Sequence, residues 1–284
     1  MTSARDNLVT IALVSSGVLL AYWSVMAGLI DAWSTDDNYS HGFFIVPLAA
    51  YFAWERRARL AAAPVRPALS GLVLVVLSLL LLVAGTLGSE MFLSRGSLIG
   101  VAAGTVLFLG GWAWLRVLAF PLAFLLLMIP LPALIFNKIA FPLQLLASHV
   151  GEYAISSMEI PILREGNVLI LANATLEVAE ACSGIRSLVS LFTLGIVFGY
   201  FADSRAWVRA FIALSAIPVA IFANGLRVAS AGVAAHNYGT AGVEGLFHEF
   251  SGWVVFVIAF LMMLALQRLV LHFAPPPATE ASPA

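Results

Sequence analysis

Apolar residues fall in long blocks along the chain, and polar residues collect in the gaps between them. Several blocks reach the roughly 18–20 residues that a helix needs to cross a bilayer. The pattern predicts about eight spans: Leu8–Ile30, His41–Trp54, Leu69–Leu87, Leu98–Leu115, Val117–Phe136, Ser183–Tyr200, Ala206–Ala229 and Phe250–His272. The first is too long for a signal-peptide core and has no convincing cleavage site, so it is expected to be retained. The second is short enough to tilt or insert only in part. Pro121, Pro130 and Pro132 interrupt the fifth, and each removes a backbone donor.

The longest break between spans runs from Asn137 to Ala181. Lys138–Met158 mixes apolar residues with Gln144, Ser148, His149 and Glu152, and predicts a helix lying in the interface. Pro161–Ala179 follows. There Glu165-Gly166-Asn167 and Ala172-Asn173-Ala174 punctuate β-prone runs. That pattern predicts a small hairpin or three-stranded meander outside the membrane, leading to the next span. The tail Ala274–Ala284 is rich in proline and alanine and is expected to be disordered. The reading is therefore an all-α polytopic membrane protein, one transmembrane domain over residues 1–273, with a small β element before its sixth span.

Composition agrees. Of 284 residues, 62% are hydrophobic and 10% charged, far from the balance of a soluble domain. A net charge of −1 with no basic run gives no sign of a nucleic-acid surface. Basic residues orient the spans. The cluster Arg56, Arg57 and Arg59 belongs on the cytoplasmic side, which puts both termini there too. Cys182, Arg186, Arg227 and His248, far apart in sequence, then all fall on the outer face. The chain has one cysteine, which rules out an internal disulfide and a cysteine-rich metal site. No metal or cofactor is expected.

That cysteine sits in EACSGIR, at the start of a predicted helix. A lone cysteine in a membrane helix is most often a small hydrophobe. Here the first helical turn favours an anion and lowers a thiol pKa. Moving the thiol from about 8.5 to about 7 requires roughly 2 kcal/mol. A helix terminus alone supplies about 0.3–1 kcal/mol, up to about 2 in favourable geometry, so a nearby cation is expected. Arg186, at i+4, shares the cysteine's face, although an interfacial arginine that snorkels would look the same. Arg227 closes an apolar stretch in NGLR, and fits either a span anchor or a functional charge. His248, in FHEFSGW, fits an interfacial anchor, a packing residue or a proton donor. Converging, these groups would make a nucleophile, a charge stabiliser and a general acid for acyl transfer.

The stretches REGNVLILANATLEVAEACSGIRSL, NGLRV, FHEFSGW and YSHGFFIVPLAAYFAWERR resemble the exosortase/archaeosortase family of membrane cysteine transpeptidases. The resemblance implies a thioester-forming enzyme. Its substrates would be exported proteins with a C-terminal Pro-Glu-Pro-like motif, a transmembrane helix and a basic end. It places the nucleophile on Cys182, the arginine on Arg227 and the third polar residue on His248. Because the chain ends soon after its last span, the resemblance points to a compact bacterial subtype, exosortase B. The motif's glutamate needs a basic partner, and Arg186, Arg164 and Lys138 are the candidates, with Arg186 preferred. Asn224, beside Arg227, is a further candidate for substrate contact. His41 and His149 are candidate supporting groups. Membrane lipids are expected partners.

Two other readings stand beside it. Ser183 with His248 would make an intramembrane serine protease, but Ser183 lies about 100° around the helix from Cys182. A transporter or scaffold predicts charged or broken helices at the bilayer midplane. The midspans here are nearly uniformly apolar, and the polar residues gather at one face.

Overall fold

The computed structural model describes residues 16–172, 174–178, 184–239 and 246–274, with side chains in the last two ranges from Arg186 and Phe250 onward. Helices dominate. In chain order they are α1 (Trp23–Thr35), α2 (Gly42–Glu55), α3 (Arg57–Ala62), α4 (Leu69–Leu87), α5 (Met91–Gly110), α6 (Trp112–Phe124), α7 (Ala133–Ser156), α8 (Gly184–Ala202), α9 (Ala206–Tyr238) and α10 (Leu246–Phe273). A three-stranded sheet, β1 (Ile162–Glu165), β2 (Val168–Leu171) and β3 (Ala174–Glu177), lies between α7 and α8.

Five of these stretches are long and apolar enough to cross a membrane: α4, α5, α7, α9, and α10 from Phe250. Gly42–Glu55, Trp112–Met128 and Arg186–Ala202 are shorter apolar helices. The chain is a multi-pass membrane protein. Length and composition alone thus give fewer spans than the eight expected. The fifth expected span, Val117–Phe136, is not continuous. After α6 a short 3-10 turn, Leu125–Met128, ends at the Pro130 and Pro132 pair, and a new helix begins at Ala133. Two prolines in three residues deprive the backbone of the donors a continuous helix needs. The expected interfacial helix over Lys138–Met158 is therefore α7, which starts five residues sooner and is long enough to span. The expected disordered tail, beyond Ala274, lies outside the described residues.

The chain divides into two compact units, at Ala133/Leu134. In the first, α4 and α5 form a close hairpin because small residues face each other. A Cβ on Gly71 would meet the Phe108 backbone, and one on Gly100 would meet Ser78. Trp33 of α1 donates from Nε1 to the Met128 carbonyl at 2.9 Å and lies against Gly42.

In the second unit α8, α9 and α10 pack around Leu191, Ile212, Ala216, Ala220, Ala259 and Met263. Gly195 and Gly199 let α8 approach the α9 backbone: a Cβ on Gly199 would stand 2.9 Å from the Arg209 carbonyl oxygen. The turn between these helices is clasped by charge. Arg205 donates from Nε and Nη2 to the Asp203 carboxylate, Arg205 N–H donates to the same group, and Arg209 Nε donates to the Asp203 carbonyl. Arg205 also reaches the Ala274 carbonyl at the end of α10. The side-chain bonds from Arg205, then its backbone N–H, hold the Asp203 carboxyl down to about 2.

The sheet is an antiparallel meander with Ile162 opposite Leu171 and Leu169 opposite Leu176. Gly166, with φ +64°, takes the first position of the two-residue turn, where a side chain would strain the backbone. One face is apolar. Leu169, Leu171, Ala174 and Leu176 pack with Ile155 of α7 and with Val228, Ala231 and Ala235 of α9. The expected meander is thus present, seated on the final turns of α9.

Two outcomes test this packing. Gly199→Leu is expected to cost about 1–3 kcal/mol by overpacking, read as a lower Tm in detergent; an unchanged Tm would contradict the close α8–α9 contact. Asp203 has a folded-state pKa below its unfolded value. Its bonds therefore add stability that is complete above about pH 4 and is lost as pH falls through about 2. Asp203→Asn should lower Tm at pH 7 and flatten the acid limb of the Tm profile between those values. An unaltered profile would show the clasp to be idle.

Candidate active site

Helix α9 is long enough to rise beyond a bilayer. Its 33 residues extend about 50 Å, against a hydrocarbon thickness of about 30 Å. Arg227 lies 21 residues from Ala206, or about 32 Å along the axis. That distance is about a full hydrocarbon thickness. The remaining turns carry Val228, Ala231 and Ala235 into contact with the sheet.

Arg227 is only 9% exposed, and Asn224, one turn before it on the same face, is 7% exposed. A guanidinium buried at membrane depth costs about 2.5–3.5 kcal/mol or more, so it has to face polar company inside the bundle. Its neighbour across the helix pair is Gly252 of α10. A Cβ there would sit 3.4 Å from Nη2 and 3.6 Å from Cζ of Arg227. The α10 backbone thus forms a shelf against the guanidinium, and glycine keeps that shelf flat. Gly252 lies 21 residues from Phe273, so its height on α10 equals that of Arg227 on α9, about 32 Å from the closed end.

The opposite face of α9 is gripped just as closely. A Cβ on Gly225 would collide with Val150 of α7, and one on Gly151 would collide with Val228. These contacts fix the height and rotation of the Asn224–Arg227 segment from both sides. Sequence reasoning did not find Gly252, Gly225 or Gly151. The available signal was a glycine in each of three helices, two of them within two residues of a charge, Glu152 and Arg227.

Cys182 lies outside the described residues, as do Ser183 and the side chain of His248. Their described flanks are informative. Val178, the last described residue before Cys182, is buried in the same cluster as Val228 and Ala229. Gly184, the first after it, begins α8 about 27 Å from Ala202. Arg186 follows, half-buried on α8. Position 248 lies one helical turn before Gly252 on α10.

The other expected groups have definite places. Arg164 donates from Nε to Glu152 Oε2 at 2.7 Å and from Nη1 to the Gly166 carbonyl at 2.9 Å. Ser148, fully buried on α7, donates its hydroxyl to that same carbonyl at 3.0 Å. Arg164 therefore ties the sheet to α7. Lys138 is on α7. His149, also on α7, is 59% exposed, with Nδ1 3.9 Å from Glu152. His41 belongs to the first unit, where its Nε2 meets the Leu127 carbonyl at 3.1 Å.

Comparison with known proteins adds one match. The family model described as transmembrane exosortase covers residues 33–265, most of the chain. No curated protein matches, and no solved structure matches.

Proposed function

The chain belongs to the transmembrane exosortase family, and on that premise we propose that it is a cysteine transpeptidase acting at the outer boundary of the membrane. The observation that carries the proposal is the buried Arg227, set against the α10 backbone at Gly252 and one residue before Val228, which packs on α7 and in the cluster of the sheet. Chain length supports it. Four residue steps separate buried Val178 from Cys182, a reach of about 14 Å at most, and two separate Cys182 from Gly184.

In the proposed reaction the Cys182 thiolate attacks the scissile peptide carbonyl. The carbon–sulfur bond forms as the carbonyl π pair moves to oxygen. Arg227 stabilises that oxyanion by charge-assisted hydrogen bonds. The C–N bond then breaks and His248 gives its proton to the leaving amine. A thioester remains, and an acceptor nucleophile resolves it, returning the thiol. The substrates are exported proteins with a C-terminal Pro-Glu-Pro-type signal ahead of a transmembrane helix, which brings the cleavage point to this depth. Arg186, at the start of α8, and Asn224 are the substrate contacts we favour. Arg164, committed to Glu152 and Gly166, acts through the sheet. We place the enzyme in the bacterial inner membrane with both termini cytoplasmic and the site periplasmic.

Cys182→Ala is expected to abolish cleavage of a tailed reporter without loss of membrane insertion; cleavage that survives with Ser183 intact would move the nucleophile to the serine. Gly252→Ala should keep near-normal rates, whereas Gly252→Val should displace the guanidinium and lower turnover by about 10²-fold. Equal rates for the two would detach Arg227 from the chemistry. A membrane-impermeant thiol reagent should label Cys182 from the periplasmic side, and labelling only from the cytoplasm would reverse the orientation.

A further inference from the structure

The first unit holds a second buried arginine. Arg95, in the second turn of α5, is 8% exposed. Its Nη2 donates to the Gly28 carbonyl of α1 at 3.0 Å and lies 3.6 Å from the Met91 sulfur. Among the described residues no carboxylate comes within 4.0 Å of its guanidinium, although Tyr39 and Asp31 are near enough to share its field. A guanidinium has five N–H donors in a fixed fork. One carbonyl and one thioether leave most of that capacity unused.

The rest of the fork lines a cavity of about 310 Å³ beside the α4–α5 turn. Its floor is buried: Val25, Gly85, Ser94 and Arg95. Its rim is exposed and carries Ser24, Thr86, Ser89 and Met91. The hydroxyls of Ser94 and Thr86 are spent on the Glu90 and Leu82 carbonyls. Those of Ser24 and Ser89 make no hydrogen bond within the described residues, so they remain for a ligand. The shape is a bowl with a cation at the bottom and two hydroxyl donors at the lip.

We propose that this bowl binds the phosphodiester headgroup of an anionic membrane lipid. A cation without a carboxylate partner calls for an anion, and a guanidinium fork matches two phosphate oxygens. The walls are helices, whose backbone groups bond internally, so the bowl offers an extended peptide no strand edge to pair with. Its surroundings are apolar and outward-facing: Leu20, Trp23, Leu87 and Met91 are 65% or more exposed in this multi-pass protein, the surface that acyl chains would cover. The site is independent of the chemistry proposed for the second unit.

The test uses the full chain in detergent, titrated with short-chain phosphatidylglycerol, with the matching diacylglycerol and with inorganic phosphate, followed by native mass spectrometry and thermal shift. Phosphatidylglycerol is expected to bind and raise Tm, with diacylglycerol and inorganic phosphate at least about tenfold weaker, the scale of one charge-assisted contact. Arg95→Met should reduce lipid affinity about tenfold or more. If that variant fails to fold, Ser24→Leu, which closes the mouth without touching the buried charge, should do the same. Equal binding of phosphatidylglycerol and diacylglycerol would overturn the headgroup assignment. Inorganic phosphate as strong as the lipid would make it a free-anion site. Unchanged lipid affinity in the Ser24→Leu chain would overturn the location.

Discussion

A buried guanidinium is expensive, and the second unit is organised around one. Arg227 can be buried only where helices close around it. That closure follows from α9. Its length carries position 227 about 32 Å from the Asp203 turn. Its further turns seat a three-stranded sheet that covers the helix above the charge.

Glycines make this closure possible. Gly225 and Gly151 let α7 and α9 meet, Gly195 and Gly199 bring in α8, and Gly252 leaves little more than a methyl group's space beside the guanidinium. Each close approach fixes a helix in rotation as well as in distance. The clasp of Asp203, Arg205 and Arg209 at the other end sets the axial register of α8 against α9. A segment of polar residues at one boundary is thus positioned by contacts spread along the whole unit. Function at such a site depends on geometry held from outside it, as is general for preorganised charge stabilisation.

Much of this was legible in the residues. Glu165-Gly166-Asn167 and the break at Asn173 announced the meander, because a glycine before a β-prone run can take the positive φ that a tight hairpin requires. The apolar blocks announced most helices, and the long composite around ACSGIR, with NGLRV, FHEFSGW and the early segment, carried the family. Other features were hidden for physical reasons. The division between α6 and α7 turns on whether Pro130 and Pro132 kink or break a helix, and an apolar run looks the same in both cases. Arg164 read as a free basic group because Glu152 is 12 residues away, across a helix-to-strand turn. Gly252 read as one small residue in a span, since a backbone shelf leaves no side-chain pattern. The sequence also named Cys182, Ser183 and His248; the first two, and the imidazole of the third, lie outside the described residues.

In the proposed reaction Arg227 serves the thiol at position 182, and a cation brought that close also favours the thiolate. The chain's single cysteine makes a direct measurement possible: the rate of alkylation as a function of pH, in the native chain and with Arg227→Met. The account predicts an apparent thiol pKa clearly below the ordinary value of about 8.5 in the native chain, and a rise toward or above it in the variant. The same ordinary value in both proteins would contradict it.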